Sequence, residues 1–169
     1  MGDYDLEMLM TRYQMVPRTL ILIEKNSEFL LIEKVKSGTF GFGKLNGVGG
    51  HIEQGEDAYN SARREIMEET GLEVGLLDLA AILFIDINES PGIEVFVFHA
   101  KYAGGVLRSS PEGNLLWLGV DQIRCSPAVV KDIPFLLEIV CKHKKGQAPE
   151  IVRYSYDNKG ELRIAISDY

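Results

Sequence analysis

Apolar residues in this chain fall mostly into short runs closed by polar turns, with a few stretches at helical spacing. Residues 19–24 (T-L-I-L-I-E) and 28–33 (E-F-L-L-I-E) flank Lys25-Asn26-Ser27, which predicts a β-hairpin. Further strands are expected over residues 77–87, 94–101 and 115–118. Residues 150–157 and 161–167 alternate around Asn158-Lys159-Gly160, the pattern of a closing hairpin. Helical spacing marks residues 57–70, with Ala58, Ala62, Ile66 and Tyr59 as the buried stripe. Glu56 and Asp57 suit its N-terminus, and Gly71 is placed as its C-cap. A turn of helix is expected over 120–123. A second helix is expected over 133–144, with Pro134 in its first turn. Leu6, Leu9, Met10 and Tyr13 form a further stripe, a short helix or a loose arm.

Between hairpin and first helix, residues 36–50 hold Gly38, Gly41, Gly43, Gly47, Gly49 and Gly50. Glycine at that density suits sharp turns or backbone lying close to a ligand; the bland alternative is a flexible surface loop. The chain has 169 residues, 46 % of them hydrophobic, which suits one domain with an ordinary core. No repeat or low-complexity tract interrupts it.

Charge narrows the partners. Twenty-five acids against 18 Lys plus Arg give a net charge of −7, which argues against binding to a nucleic-acid polymer. The cluster Lys142, His143, Lys144 and Lys145 reads as a helix C-terminus complementing the dipole. No apolar run reaches the roughly 18 residues of a membrane span, and the first ten residues lack a basic signal-peptide region. Cys125 and Cys141 lack metal-type spacing and read as reduced thiols of a cytoplasmic protein.

Chemistry concentrates in the first helix. Glu65, Glu68 and Glu69 are spaced i, i+3 and i+4, so a helix gathers them on one face. Like charges so placed repel one another, and a hard divalent cation with a preference for oxygen gives a reason to gather them. The segment from Gly50 to Leu72 resembles the Nudix signature GX5EX7REUXEEXGU, U being a bulky aliphatic residue. Gly50, Glu56, Arg64, Glu65, Ile66, Glu68, Glu69, Gly71 and Leu72 fill every fixed position. The resemblance implies an α/β fold of the α+β type, an α/β/α sandwich with a mixed sheet, in the order β-β-β-α-β-β-β-α-β-β. It implies Mg²⁺, with Mn²⁺ as the alternative, held by Glu65 and Glu69, with Glu68 close by and the Gly50 carbonyl adding an oxygen. Arg64 is implied to pair with Glu56 and orient the carboxylates. Glu112 takes the place of a loop carboxylate that serves as metal ligand or general base; the alternative is an ordinary loop acid.

The run from Phe40 to Gly50 (F-G-F-G-K-L-N-G-V-G-G) is similar to that of MutT-type enzymes acting on oxidised purine triphosphates such as 8-oxo-dGTP. That likeness implies that Asn46 hydrogen-bonds the base, Phe40 packs against it and Lys36 contacts the phosphate chain. Lys44 fills the basic position of the run and is assigned to the substrate with them. Asn46 also fits a plain turn residue, and Phe40 plain core. Leu45 stands where the branch has tryptophan. Ala128 and Val129 stand where its best-known member has an acidic pair, and Asp132 is the nearby substitute. The expected reaction is hydrolysis of a nucleoside triphosphate to monophosphate and pyrophosphate. Alternatives are an ADP-ribose, nucleotide-sugar or dinucleoside polyphosphate hydrolase, or a catalytically silent nucleotide-binding regulator. Monomer and homodimer fit equally.

Overall fold

The computed structural model describes residues 12–35, 43–88, 90–108 and 113–167. The stripe at Leu6, Leu9 and Met10, and the expected site residues Lys36, Phe40 and Glu112, lie outside them. The elements are β1 (Met15–Lys25), β2 (Glu28–Lys34), β3 (Leu45–Asn46), α1 (Ala58–Thr70), β4 (Leu72–Ile85) and β5 (Gly92–Gly105), followed by β6 (Gly113–Gly119), α2 (Val120–Cys125), α3 (Ile133–Lys142), β7 (Glu150–Tyr156) and β8 (Leu162–Ile166). The first hairpin turns through Asn26 and Ser27, both at positive φ (51° and 66°). That two-residue left-handed turn matches the twist of the strands it joins.

One mixed sheet holds all eight described strands. β1 pairs in parallel with β5, and β4 with β7; the other ladders are antiparallel. Side chains alternate between the faces of a strand, and the apolar runs of β1 and β2 feed both. Leu22, Phe29 and Leu31 join Ile133, Leu136, Leu137 and Val140 of α3 in one buried cluster. Ile21, Ile23 and Leu30 join Ala62 and Ile66 of α1 in another. Helices thus cover both faces, giving an α/β/α sandwich. In β4 the alternation changes phase: Leu77 faces the α1 cluster, but Ala81 and Leu83 face α3. An irregularity in register between Leu79 and Ala81 makes the change.

The expected elements are present with altered limits. β4 and β5 start earlier and are longer than the apolar runs implied, because paired strands extend through polar residues once the ladder exists. Tyr59, expected in the buried stripe, is 46 % exposed. Its ring packs edge-on against Phe98, with centroids 4.9 Å apart.

Candidate functional site

α1 has defined ends. Asp57 caps it by accepting the Asn60 N–H at 2.8 Å. Gly71, at φ 68°, closes it and donates to the Met67 carbonyl. Ala62 and Ile66 anchor the helix to the sheet, and this fixes the depth of its acidic residues. The Glu69 side chain is 4 % exposed, Glu65 12 % and Glu68 61 %. The three glutamates therefore descend from solvent to core.

Opposite them, the glycine-rich segment runs antiparallel along β1. Ile21 and Val48 exchange backbone hydrogen bonds, Thr19 N–H donates to the Gly50 carbonyl at 2.9 Å, and Ile52 N–H donates to Pro17. Gly49 sits at φ 143°, and a Cβ there would fall 2.2 Å from the Thr19 carbonyl oxygen. A Cβ on Gly50 would fall 2.4 Å from Glu65 Oε1. Position 49 needs glycine because backbone approaches it so closely at a positive φ, whereas a side chain at position 50 would displace the Glu65 carboxylate.

Glu69 accepts the Gly49 N–H at 2.9 Å on Oε2 and the Lys34 ammonium at 2.5 Å on Oε1. Burial pushes its carboxyl above the ordinary carboxylate range, and Lys34 and the Gly49 N–H offset part of that rise. Arg64 grips Glu56 with two parallel bonds, Nε to Oε1 at 2.7 Å and Nη2 to Oε2 at 2.9 Å. Its Nη1 donates to Glu65 at 2.8 Å and to Glu68 at 3.2 Å, and Nη2 to the His51 carbonyl at 3.0 Å. One guanidinium thus holds three carboxylates and the end of the glycine segment. Hydrogen bonding to Arg64 is the main cause that holds the Glu56 carboxyl down to about 2.

The sign of that shift gives a prediction. A carboxyl with a depressed folded-state pKa stabilises the fold above its ordinary value of 4.5 and loses that contribution as pH falls towards about 2. Glu56→Gln is expected to melt below the wild type at pH 7, with the two curves converging between pH 4.5 and pH 2. Melting temperatures followed by circular dichroism across that range check it; a constant gap would contradict it.

A second cluster forms where β3 meets the loop before α3. Leu45 N–H donates to the Ala128 carbonyl at 2.8 Å, and Val130 N–H returns a bond to Leu45 at 2.9 Å. Lys44 Nζ donates to the Pro127 carbonyl at 2.8 Å. Asn46 Oδ1 accepts the Gly47 N–H at 2.9 Å, the geometry of a turn residue, which leaves the Asn46 NH₂ to donate elsewhere. Asp132 stands at the start of α3 without capping it. Burial raises its carboxyl, and raises the hydroxyl of neighbouring Tyr154 too. The Tyr154 hydroxyl is buried and makes no hydrogen bond of good geometry.

Gly50, Arg64, Glu65, Glu68 and Glu69 thus meet at α1, and Lys44 and Asn46 lie along β3, beside the loop that leads to Asp132. Among the described residues no three His, Cys, Asp or Glu side chains converge closely enough to hold a metal ion. Glu65 and Glu69 are turned to Arg64 and Lys34 instead. Sequence reasoning passed over Lys34. It also passed over Arg18, whose Nη2 lies 2.8 Å from His51 Nε2, and Thr19, whose buried hydroxyl is unpartnered. Strand parity was the available signal for Lys34, since it shares a face of β2 with Leu30 of the α1 cluster.

This fold and this signature helix define a class of hydrolase. The model of the NUDIX domain matches residues 14–138, and the chain belongs to the Nudix family of hydrolases. It is 36 % identical over 124 residues to the oxidized purine nucleoside triphosphate hydrolase of Danio rerio, spanning 71 % of this chain and 78 % of that one. It is 33 % identical over 144 residues to the protein of the same name from Mus musculus, spanning 81 % and 91 %. Among solved structures, the mutator MutT protein of Bacillus halodurans superposes with a TM-score of 0.70 at 23 % identity, over 90 % of this chain and 97 % of that one. That likeness concerns the fold. Nudix hydrolases generally use divalent metal ions. No helix among the described residues is long and apolar enough to cross a membrane.

Proposed function

We propose that this protein is a Mg²⁺-dependent pyrophosphohydrolase that converts a nucleoside triphosphate and water to nucleoside monophosphate and pyrophosphate, with a preference for oxidised purines such as 8-oxo-dGTP. The observation that carries the reading is the seating of Glu65 and Glu69 directly against the Gly49–Gly50 backbone. The donor chemistry of the site suits a hard cation. Its donors are oxygens, its deepest carboxylate already faces a positive charge, and glycine at position 50 leaves room for the Glu65 carboxylate against the backbone. Glu65, Glu69 and the Gly50 carbonyl would hold the ion, with Glu68 at the solvent side. Bound there, it supplies charge neutralisation for phosphate oxygens and a lowered pKa for coordinated water.

The chain's own residues do the rest. Arg64 fixes the carboxylate orientations through Glu56 and the His51 carbonyl. Glu112 accepts the proton of the attacking water or adds a ligand. Lys36 meets the phosphate chain, and Lys44 contacts the substrate. The Asn46 amide reads a base edge, Phe40 packs on the ring, and Asp132 lies at the same end of the site. The names of the zebrafish and mouse relatives support the choice of oxidised purines. The proposed setting is the cytoplasm.

A panel of 8-oxo-dGTP, dGTP, the other dNTPs, ADP-ribose and diadenosine tetraphosphate tests the substrate. The expected outcome is a kcat/KM for 8-oxo-dGTP at least about tenfold above dGTP, the size of one well-made polar contact. A preference for ADP-ribose or diadenosine tetraphosphate would keep the hydrolase and reject the base assignment.

A further inference from the structure

We propose that Lys34 is the resident counter-cation of the carboxylate site: it holds Glu69 in place when no metal is bound and gives up Glu69 Oε1 when a divalent cation binds. The inference rests on the metal-site reading above.

Lys34 ends β2, the strand that also carries Leu30 and Ile32 on the face toward α1. Its backbone is fixed to the segment before β3, since its N–H donates to the Lys44 carbonyl at 3.2 Å and its carbonyl accepts the Gly43 N–H at 2.8 Å. The side chain is 13 % exposed and reaches across to a carboxylate 35 residues on in sequence. A carboxylate this buried needs a partner, because an unpaired buried charge is strongly unfavourable. Among the described residues Glu69 has two partners: the Gly49 N–H on Oε2 and the Lys34 ammonium on Oε1. The second can be released by side-chain rotation alone. The Gly49 N–H is part of a backbone locked to β1, whereas a lysine rotates four side-chain bonds to leave.

Glu69 Oε1 has two lone pairs, but an ammonium and a metal ion set on both would stand close together. Two cations crowded at one oxygen repel each other, so the pair and the metal compete. Among the described residues Glu65 is turned to Arg64 and Glu69 to Lys34. The arrangement holds the Glu69 carboxylate in one orientation before metal arrives. It thereby weakens metal affinity in exchange for a site that does not collapse without metal. Lys34 acts through Glu69, so it is a positioning residue.

The test uses Lys34→Met, which keeps the stem and removes the charge. Mn²⁺ binding, followed by electron paramagnetic resonance at pH 8, is expected to tighten about fivefold or more, a typical coupling between two competing occupants. The metal-free variant is expected to melt below the wild type, with most of that gap closed by saturating Mg²⁺. Unchanged or weaker Mn²⁺ binding, with a melting gap that Mg²⁺ does not close, would make Lys34 a static structural pair and overturn the proposal. Should the variant fail to fold, amine labelling of the wild type decides. Modification of Lys34, read by mass spectrometry, should rise when Mg²⁺ alone is added, and equal labelling with and without Mg²⁺ would reject the exchange. A wild type that binds no Mn²⁺ at all would instead refute the metal-site reading itself.

Discussion

Glu69→Gln is expected to lower kcat by about 10³-fold or more, since the proposed role of Glu69 is metal ligation, which contributes several kcal/mol of transition-state stabilisation. The substitution keeps volume and one acceptor oxygen for the Gly49 N–H, but removes the charge opposite Lys34. Circular dichroism should show the helices retained at the assay temperature, with a lower melting point because the buried Lys34 ammonium loses its counter-ion. Steady-state kinetics and the melting curve together separate a lost ligand from a lost fold. Near wild-type kcat would mean that the buried end of the α1 face is not where the chemistry occurs.

The second large effect is on stability. Gly49→Ala places a methyl group 2.2 Å from the Thr19 carbonyl oxygen and at a φ of 143°. The oxygen belongs to the β1 backbone, so no side-chain rotation relieves the contact. Backbone strain and overpacking together are expected to cost about 3 kcal/mol or more. For a protein of this size that corresponds to a fall of about 6–12 °C in melting temperature. Gly146→Ala is the control: its φ is 80°, but nothing lies within 4 Å of the added Cβ, so only left-handed strain of about 1–2 kcal/mol applies. Urea titration of both variants measures the difference. Equal losses would mean that the close approach of the glycine segment to β1 contributes nothing to stability.

Much of this could be read from residue order. The α1 boundaries followed from Asp57 and Gly71, and the first hairpin from two apolar runs around a three-residue polar break. The family followed from nine fixed positions in the segment from Gly50 to Leu72. What remained hidden is tertiary. Periodicity placed Glu65, Glu68 and Glu69 on one face, yet gave no hint that burial grades them from 61 % exposure at Glu68 to 4 % at Glu69. That grading depends on how deeply Ile66 and Ala62 seat the helix. Lys34 looked like one more charge at a strand end, because its role exists only once β2 and α1 pack face to face. Tyr59 fitted the apolar stripe by spacing, but the helix leaves it 46 % exposed, with its ring against Phe98. The clasp between Leu45 and the loop at 128–130 joins segments more than 80 residues apart, and no local pattern encodes it. Tyr154 reads as an ordinary strand aromatic until its hydroxyl is found buried beside Asp132.

The most direct test of the account is product analysis of 8-oxo-dGTP incubated with the wild-type protein, once with Mg²⁺ and once with the ion chelated. The predicted result is 8-oxo-dGMP and pyrophosphate in equal amounts with Mg²⁺, and neither product without it. Release of single phosphate, turnover that persists under chelation, or an intact triphosphate would contradict a metal-dependent pyrophosphohydrolase built on Glu65 and Glu69.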